Sequence, residues 1–298
     1  MQLLLELFCE EIPARLQKQA KQNLKTHAIA ALKKGRLGFD EIETYATPRR
    51  LALMVDGLPE WQGDITEEKR GPKTSAPKRA LDGFLSSNNL KLEQCEKKPS
   101  GKEEFWFATI SHSGRPSEEV LTVILAGIIV NFSWPKSMRW GKGRFRWIRP
   151  LKRVLCVLDG KPLALNIADG IPCGNITSGH RYSSSTNFEV GFFDDYEKNL
   201  QNNLVVLNPN TRSQIIEEKA KTLAKFEGLC LKPDPQLLEE VAGLVEWPVP
   251  LMGKIDIAFM SLPDEVLITA MRSHQKYFSV IDKDGNLAPR FVVVANTE

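Results

Sequence analysis

The sequence is poor in the residues and motifs from which most catalytic and metal sites are built. It has four histidines in 298 residues, and no two of them are close in sequence. It lacks the phosphate-loop pattern GxxxxGK[ST], the dinucleotide pattern GxGxxG, the zinc-protease pattern HExxH and the GxSxG turn of hydrolases. We therefore expect no catalytic residue and no metal site in this chain. A Ser-His-Asp triad stays open, because its members need to meet only in space.

Cysteines and long apolar runs are also scarce. The five cysteines are widely spaced and form neither a CxxC pair nor a Cys-His cluster with zinc spacing, which favours free thiols in a reducing compartment. Glu6, Glu10 and Glu11 interrupt the N-terminal apolar run, so a signal peptide is not expected. The most apolar segment, 120–132, is too short to span a bilayer. These features predict a cytoplasmic protein without a membrane partner.

The hydrophobic pattern predicts an α+β fold with mixed and antiparallel sheets and flanking helices. A length of 298 residues with 42% hydrophobic residues supports a sizeable core and two or more subdomains. A strand over 2–8, a helix that ends near residue 34 and strands over 41–47 and 50–56 give a β-α-β-β unit, which is half of a ferredoxin-like sandwich. The chain lacks the regular βαβα alternation of a doubly wound sheet.

Two polar segments suggest how the rest of the chain is divided. Residues 60–77 are expected to be a connection, and residues 187–212 to separate an N-terminal body region, 1–186, from a second α+β region, 187–298. Helices are predicted over 78–87, 117–131, 213–226 and 235–244, and strands over 105–112, 154–158, 162–167, 229–231, 266–272, 277–282 and 291–295.

Acidic residues are missing altogether from 120 to 158, although the whole chain has a net charge of only +3. Within this stretch lies the basic-aromatic segment, residues 134–153. Cations contact phosphates and aromatic rings stack on bases, so the segment favours binding to RNA. The alternative is a strand whose rings pack inward while its arginines point into solvent. The cations are Lys136, Arg139, Lys142, Arg144, Arg146, Arg149, Lys152 and Arg153, and the rings are Trp134, Trp140, Phe145 and Trp147.

Three shorter motifs supply further candidate RNA contacts. In Thr47-Pro48-Arg49-Arg50, the fixed φ of proline would orient two guanidinium groups toward an anion, and a solvated turn is equally compatible with the sequence. Segments 179–182 and 273–277 each place a histidine close to a cation and an aromatic ring, although a lone histidine is more often structural than a ligand. The candidate residues of these two segments and their flanks are His180, Arg181, Arg272, His274 and Lys276.

Short motifs follow one another in order along nearly the whole chain. They are LLE at 4–6, EEIPAR at 10–15, ATPRRLA at 46–52, PKSMRWG at 135–141, RP at 149–150, GHR at 179–181, LVEWP at 244–248, LPDEVLIT at 262–269, HQKYF at 274–278 and PRF at 289–291. In this combination they resemble the β subunit family of bacterial glycyl-tRNA synthetase. One departure is Phe8-Cys9, which stands where the family pattern favours a small pair of residues.

The resemblance implies a role without chemistry in this chain. It implies that glycine is activated with ATP on a separate α subunit, that the assembly is an α2β2 tetramer, and that the β subunit binds tRNA(Gly) and supports its aminoacylation. Family members continue into an HD-type domain and an anticodon-binding domain. Because the chain ends directly after a hydrophobic strand, we expect it to be the N-terminal body portion without those domains, and without a cofactor of its own.

Two other functions stay compatible with the sequence. One is a self-contained RNA-binding module outside translation. The other is an editing-type hydrolase that acts on mischarged tRNA around His180 or His274.

Overall fold

A computed structural model describes residues 1–101, 103–167, 170–184 and 186–297. The chain divides into two compact units. One consists of Met1–Pro59 and Leu121–Glu298, and the other is Glu60–Val120. The domain division at residue 186 stays a prediction. The predicted α+β class is confirmed, since helices alternate irregularly with mainly antiparallel sheets.

The chain begins with the predicted β-α-β-β unit. Strand β1 (Leu3–Cys9) is buried along its whole length because it lies in the middle of a sheet. Helix α1 (Ala14–Lys34) packs against the hairpin of β2 (Glu41–Ala46) and β3 (Arg50–Asp56). Its buried residues recur every three or four positions, as one face of a helix requires. They are Gln17, Ala20, Leu24, Ala28 and Leu32.

The segment predicted as a connection, 60–77, instead contains β4 (Ile65–Lys73), so that prediction is wrong. In the smaller unit, β4 pairs with β6, which also pairs with β5. The described residues of β4 are mostly charged and exposed, because only one face of a small sheet needs to be apolar. The predicted helix and the one predicted strand of this unit, β6, are confirmed, whereas β5 is not predicted. Its other elements are α2 (Lys78–Asn88), β5 (Cys95–Ser100) and β6 (Glu103–His112).

The large sheet is completed by β7 (Leu151–Leu158), which pairs with β1 on the side opposite β3. The order β2-β3-β1-β7, with α1 and with α3 (Ser117–Val130) before β7, is that of a whole ferredoxin-like sandwich. The predicted turn at Asp159-Gly160 is confirmed, and both residues have positive φ. The strand after it is shorter than predicted. The short strands beside β7 are β8 (Lys161–Pro162) and the parallel β9 (Cys173–Gly174).

The polar segment 187–212 is folded and partly buried. Short strands β10 (Ile176–Ser178) and β11 (Asn187–Glu189) pair with each other and lead into helix α4 (Phe193–Asn202). Tyr196 and Leu200 of α4 are fully buried in a cluster that includes side chains of β1, β3 and β7. The segment therefore covers one face of the large sheet and is not an open linker.

The last part of the chain is a four-stranded antiparallel sheet with two helices against it. A strand predicted over 266–272 is wrong, because a helix begins at Asp264 and continues into a π-helical turn, Met271–Gln275. Asp264 and Glu265 favour a helix N-terminus, and this outweighs the β-branched residues that follow. The elements are α5 (Pro209–Phe226), β12 (Cys230–Leu231), α6 (Pro235–Ala242), β13 (Val249–Lys254), α7 (Asp264–Ala270), β14 (Phe278–Ile281) and β15 (Leu287–Ala295).

Sheet order in this part is β12-β14-β15-β13. The sequence does not predict β13, whereas the other strands and both helices lie close to their predicted positions. Among the described residues, no helix is long and apolar enough to cross a membrane.

Candidate nucleic-acid interface

The rings of the basic-aromatic segment pack mainly on one another. Trp147 is fully buried, and its ring centroid lies 5.1 Å from that of Trp134 and 5.9 Å from that of Phe145. Phe132, just before the segment, lies 5.2 Å from Trp147. Trp140 contacts the edge of Phe145 at 5.8 Å and is half-buried. Most of these rings therefore belong to the core, and they hold the segment in place.

The strand that the sequence allowed here does not form. Phe145, Trp147 and Ile148 do pack inward, as that interpretation requires. However, the segment before β7 is a loop closed by one antiparallel bridge. In this bridge the Met138 amide donates to the Trp147 carbonyl at 2.8 Å, and the Trp147 amide donates back at 3.2 Å. The bridge and the ring cluster together fix the two ends of the loop.

Five cations of this loop are exposed. Four of them form no ion pair and no side-chain hydrogen bond within the described part of the chain. Arg146 differs, because its Nε and Nη2 donate to the Oγ and carbonyl oxygen of Ser137 at 3.1 and 3.3 Å. Arg149 is half-buried and donates to the Ile148 carbonyl. The four exposed cations without such a bond, called the loop cations below, are Lys136, Arg139, Lys142 and Arg144.

A second group of cations meets at the end of β1, around the ring of Phe8. Phe8 is directly opposite Arg50 on β3 and Arg153 on β7, so the three side chains share one face of the sheet. The guanidinium carbons of Arg49, Arg50 and Arg153 lie 4.6, 4.8 and 5.5 Å from the ring centroid. A cation over an aromatic face is stabilised by the ring quadrupole. The departure from the family pattern at Phe8 thus gives these arginines a shared platform.

Glu10 neutralises part of the positive charge near this group. Its carboxylate pairs with Lys152 and, at 3.1 Å, with Arg181, whose Nη1 also lies 3.7 Å from Glu11. The hydrogen bond from Lys152 lowers the pKa of Glu10 and outweighs burial, which acts to raise it. Two of the predicted RNA contacts are therefore already paired with an acid.

Arg50 is the centre of a buried ionic network. Its Nε lies 3.2 Å from the Glu6 carboxylate, and its Nη1 donates to Glu246. Its Nη2 donates to the carbonyls of Ser178 and Gly179. Burial acts to lower the pKa of Arg50, but the charges of Glu246 and Glu6 outweigh burial and raise it. The interpretation of the Thr47–Arg50 motif as a solvated turn is wrong, because Arg49 is 8% exposed and Arg50 is fully buried.

The same network holds the Glu246 carboxyl in its ionised form. Burial acts to raise the pKa of Glu246, but the positive charge of Arg50 and the hydrogen bonds from Thr47 and Arg50 outweigh it, and the pKa is lowered from its ordinary value of 4.5. The Thr47 hydroxyl donates to this carboxylate at 2.6 Å. Glu246 thus links the turn before β3 to the chain that follows α6.

We expect the network to make stability sensitive to acid. Because the pKa of Glu246 is lower in the folded state, its carboxylate stabilises the fold above the unfolded value, and this contribution is lost as the pH falls through the folded value. Unfolding free energies measured in urea from about pH 5 to about pH 3 should therefore fall more steeply for the wild type than for Glu246→Gln. Equal pH slopes for the two proteins would contradict this assignment.

The two histidine motifs lie in different surroundings. His180 is buried, and its Nδ1 accepts a hydrogen bond from the Ser183 amide at 3.3 Å. His274 is exposed beside a cavity of about 460 Å³. Its neighbours Arg272 and Lys276 pair with Asp234 and Glu240 at 2.5 and 3.0 Å. No contact between described residues joins this second motif to the loop cations or to the Phe8 group.

The sequence of this chain matches a known protein family. Residues 3–298 match the family described as the glycyl-tRNA synthetase beta subunit. The chain belongs to this family. It is 44% identical over 319 residues to the glycine–tRNA ligase beta subunit of Rhodospirillum centenum, covering 99% of this chain and 45% of that protein. It is 46% identical to the corresponding protein of Phenylobacterium zucineum, with 99% and 44% covered. The chain thus spans less than half the length of these relatives.

Three buried charges of this glycyl-tRNA synthetase beta-subunit chain are not predicted as functional from the sequence. They are Glu6, Glu246 and Arg212. Arg212 donates to the carbonyls at the ends of β2 and α6 and to those just before α5, and burial lowers its pKa to about 10. The available signal is a single charge inside an apolar run, as in LLLELF at 3–8 and LVEWP at 244–248.

Among the described residues, no group of three or more His, Cys, Asp or Glu side chains could hold a metal ion. The five cysteines are free; Cys9 and Cys156 are buried, whereas Cys230 is exposed.

Proposed function

We propose that this chain is the tRNA-binding body of a glycine–tRNA ligase β subunit. In this proposal it assembles with the α subunit into an α2β2 tetramer in the cytoplasm. Glycine is activated with ATP on the α subunit, and the β subunit holds tRNA(Gly) for aminoacylation. The chain itself carries no catalytic residue and no cofactor. Family membership supports the ligase assignment, and relatives that cover this chain bear the name glycine–tRNA ligase beta subunit.

The observation that carries the proposal is the set of loop cations on a rigid aromatic base. Cations without a protein partner are available to phosphates, and each phosphate contact releases condensed counterions from the RNA. The buried rings fix the two ends of the loop before RNA binds, so less conformational entropy is lost on binding. Since Trp147 and Phe145 are buried, we expect the segment to bind mainly through charge and less through base stacking.

Replacing Arg139 and Arg144 together with Ala should weaken tRNA binding and reduce its salt dependence. Each lost phosphate contact lowers the slope of log affinity against log salt by about 0.7–0.9, so the pair should lower it by roughly 1.4–1.8. Fluorescence anisotropy with labelled tRNA(Gly) at several salt concentrations measures both effects. The matched control replaces Lys33 and Lys34 at the exposed end of α1 and removes the same charge. If the Arg139/Arg144 variant keeps the salt slope of the wild type and its fold is intact by circular dichroism, these two residues do not contact tRNA.

Two further experiments separate the proposal from its alternatives. Co-purification with the α subunit supports the ligase role, whereas RNA binding without α-subunit binding would favour a separate RNA-binding module. Incubation with mischarged tRNA should give no deacylation, because His180 is buried and bonded to Ser183, and the cations beside His274 are paired with Asp234 and Glu240. Clear turnover would favour the editing-type hydrolase instead.

A further inference from the structure

Arg49 is a buried arginine that pairs with no acid among the described residues. The residue is 8% exposed, and its guanidinium forms no ion pair and no side-chain hydrogen bond within the described part of the chain. Its Nε is fully buried and has no hydrogen-bond partner among the described residues, and its guanidinium carbon lies 4.6 Å from the centroid of the Phe8 ring. Leaving a charged donor buried and unpaired costs free energy, so such a group calls for an explanation.

Burial dominates the electrostatics of Arg49. It lowers the pKa of Arg49 and outweighs the opposing charges of Glu246 and Glu10, while the positive charges of Arg50 and Arg181 act in the same direction as burial. The acids around it are already engaged. Glu6 and Glu246 pair with Arg50, and Glu10 pairs with Lys152 and Arg181.

Arg153 adds a second cation on the same ring. Its guanidinium carbon lies 5.5 Å from the centroid of Phe8, and its Nη1 donates to the Asn187 side chain at 3.2 Å. No carboxylate among the described residues pairs with Arg153 or with Arg49. The end of β1 therefore has two guanidinium groups without a counter-charge, and the group of ionised side chains around Phe8 and Glu10 has an excess of positive charge.

The arrangement of these two guanidinium groups favours a phosphate group as the ligand. Arg49 and Arg153 reach Phe8 from different elements, the turn before β3 and the start of β7. A tetrahedral phosphate offers oxygens in several directions and can be shared by guanidinium groups that converge from different sides, whereas a carboxylate is matched by a single planar fork. Because Arg49 is almost fully covered, only a small group such as one phosphate can reach it.

We propose that Arg49 and Arg153, held around the ring of Phe8, form a binding site for one phosphate group. Arg50 is buried and packs on the same ring, and Arg181 adds positive charge nearby. The site is separate from the loop cations, which are exposed and carry no such platform. The phosphate can belong to the tRNA backbone or to a small phosphate compound. The first of these assignments rests on the proposed function.

The test measures inorganic phosphate and tRNA separately on the full chain. Phosphate should raise the unfolding temperature in a saturable way relative to chloride at equal ionic strength, and Arg49→Gln should abolish this shift. If the phosphate is that of tRNA, Arg49→Gln should also lower the salt slope of tRNA(Gly) binding by about 0.7–0.9. Lys34→Gln is the matched control, since it removes one charge at the exposed end of α1.

Arg49→Gln should fold, because it removes no side-chain hydrogen bond among the described residues and keeps the backbone hydrogen bonds of this position to Cys9 and Thr47. If it does not, Arg153→Gln provides the same test at a half-exposed position. Loss of the phosphate shift with an unchanged tRNA slope supports the site and assigns it to a small phosphate compound. No saturable shift in the wild type, or a shift that Arg49→Gln and Arg153→Gln both retain, would overturn the site.

Failure of this site and failure of the proposed function give different results. If the wild type does not bind tRNA, the proposed function fails, while the phosphate shift still decides the site. If only the Arg139/Arg144 variant alters tRNA binding and phosphate has no effect, the proposed function stands and the phosphate site falls.

Discussion

Replacing Arg50 with Gln should lower the free energy of unfolding by about 3–5 kcal/mol, because the change leaves two buried carboxylates without their counter-charge. Glu6 and Glu246 both contact this guanidinium, and all three side chains are almost completely buried. A neutral glutamine amide cannot replace the positive charge, although it can keep some hydrogen bonds. Urea unfolding at neutral pH measures the effect directly.

Arg153→Gln is the matched control for this prediction. It removes an arginine from the other side of Phe8, but one that is half-exposed and pairs with no acid among the described residues. We expect it to cost less than about 1 kcal/mol, as is typical of surface substitutions. A similar cost for both variants would show that the Phe8 contact dominates, and not the ionic network.

Trp147→Ala should destabilise the protein by about 3–5 kcal/mol, the range for truncating a large buried aromatic side chain. The ring is fully buried and contacts Phe132, Trp134 and Phe145, so its removal leaves a cavity among rings that cannot easily collapse. Thermal and urea unfolding measure the loss. Trp140→Ala is the control, because Trp140 lies half-buried at the edge of the same cluster. Its replacement should lower the free energy of unfolding clearly less than that of Trp147. Equal costs would mean that the cluster is not the anchor of the loop.

The local patterns of this sequence predict elements well where one face is buried and the other is solvated. The first unit, β1-α1-β2-β3, follows this rule, and its predicted bounds are close to those observed. Strand β4 does not, because it lies in a small sheet and is built largely from charged residues. Helix α7 is missed for the opposite reason, since its β-branched residues favour a strand and its acidic first turn is a weaker signal.

The candidate interface could be predicted only in part. Its composition locates the basic-aromatic segment, and two of the four rings, Phe145 and Trp147, pack inward as the strand interpretation expected. The different surroundings of Arg49 and Arg50 could not be predicted, because they depend on Glu246, which is 196 residues away from Arg50 in sequence. Adjacent arginines look alike in a sequence, and only the fold decides which one receives the buried acid.

The position of β1 constrains how this protein is made. It is synthesised before β3 and β7, yet in the folded sheet it lies between them. About 140 residues separate the end of β1 from the start of β7. At about 5–20 residues per second, their synthesis takes roughly 7–30 s. During that time one hydrogen-bonding edge of this almost wholly apolar strand has no neighbour. An unpaired edge can pair with another chain and aggregate, so we expect chaperones or the ribosome surface to cover it until β7 is made.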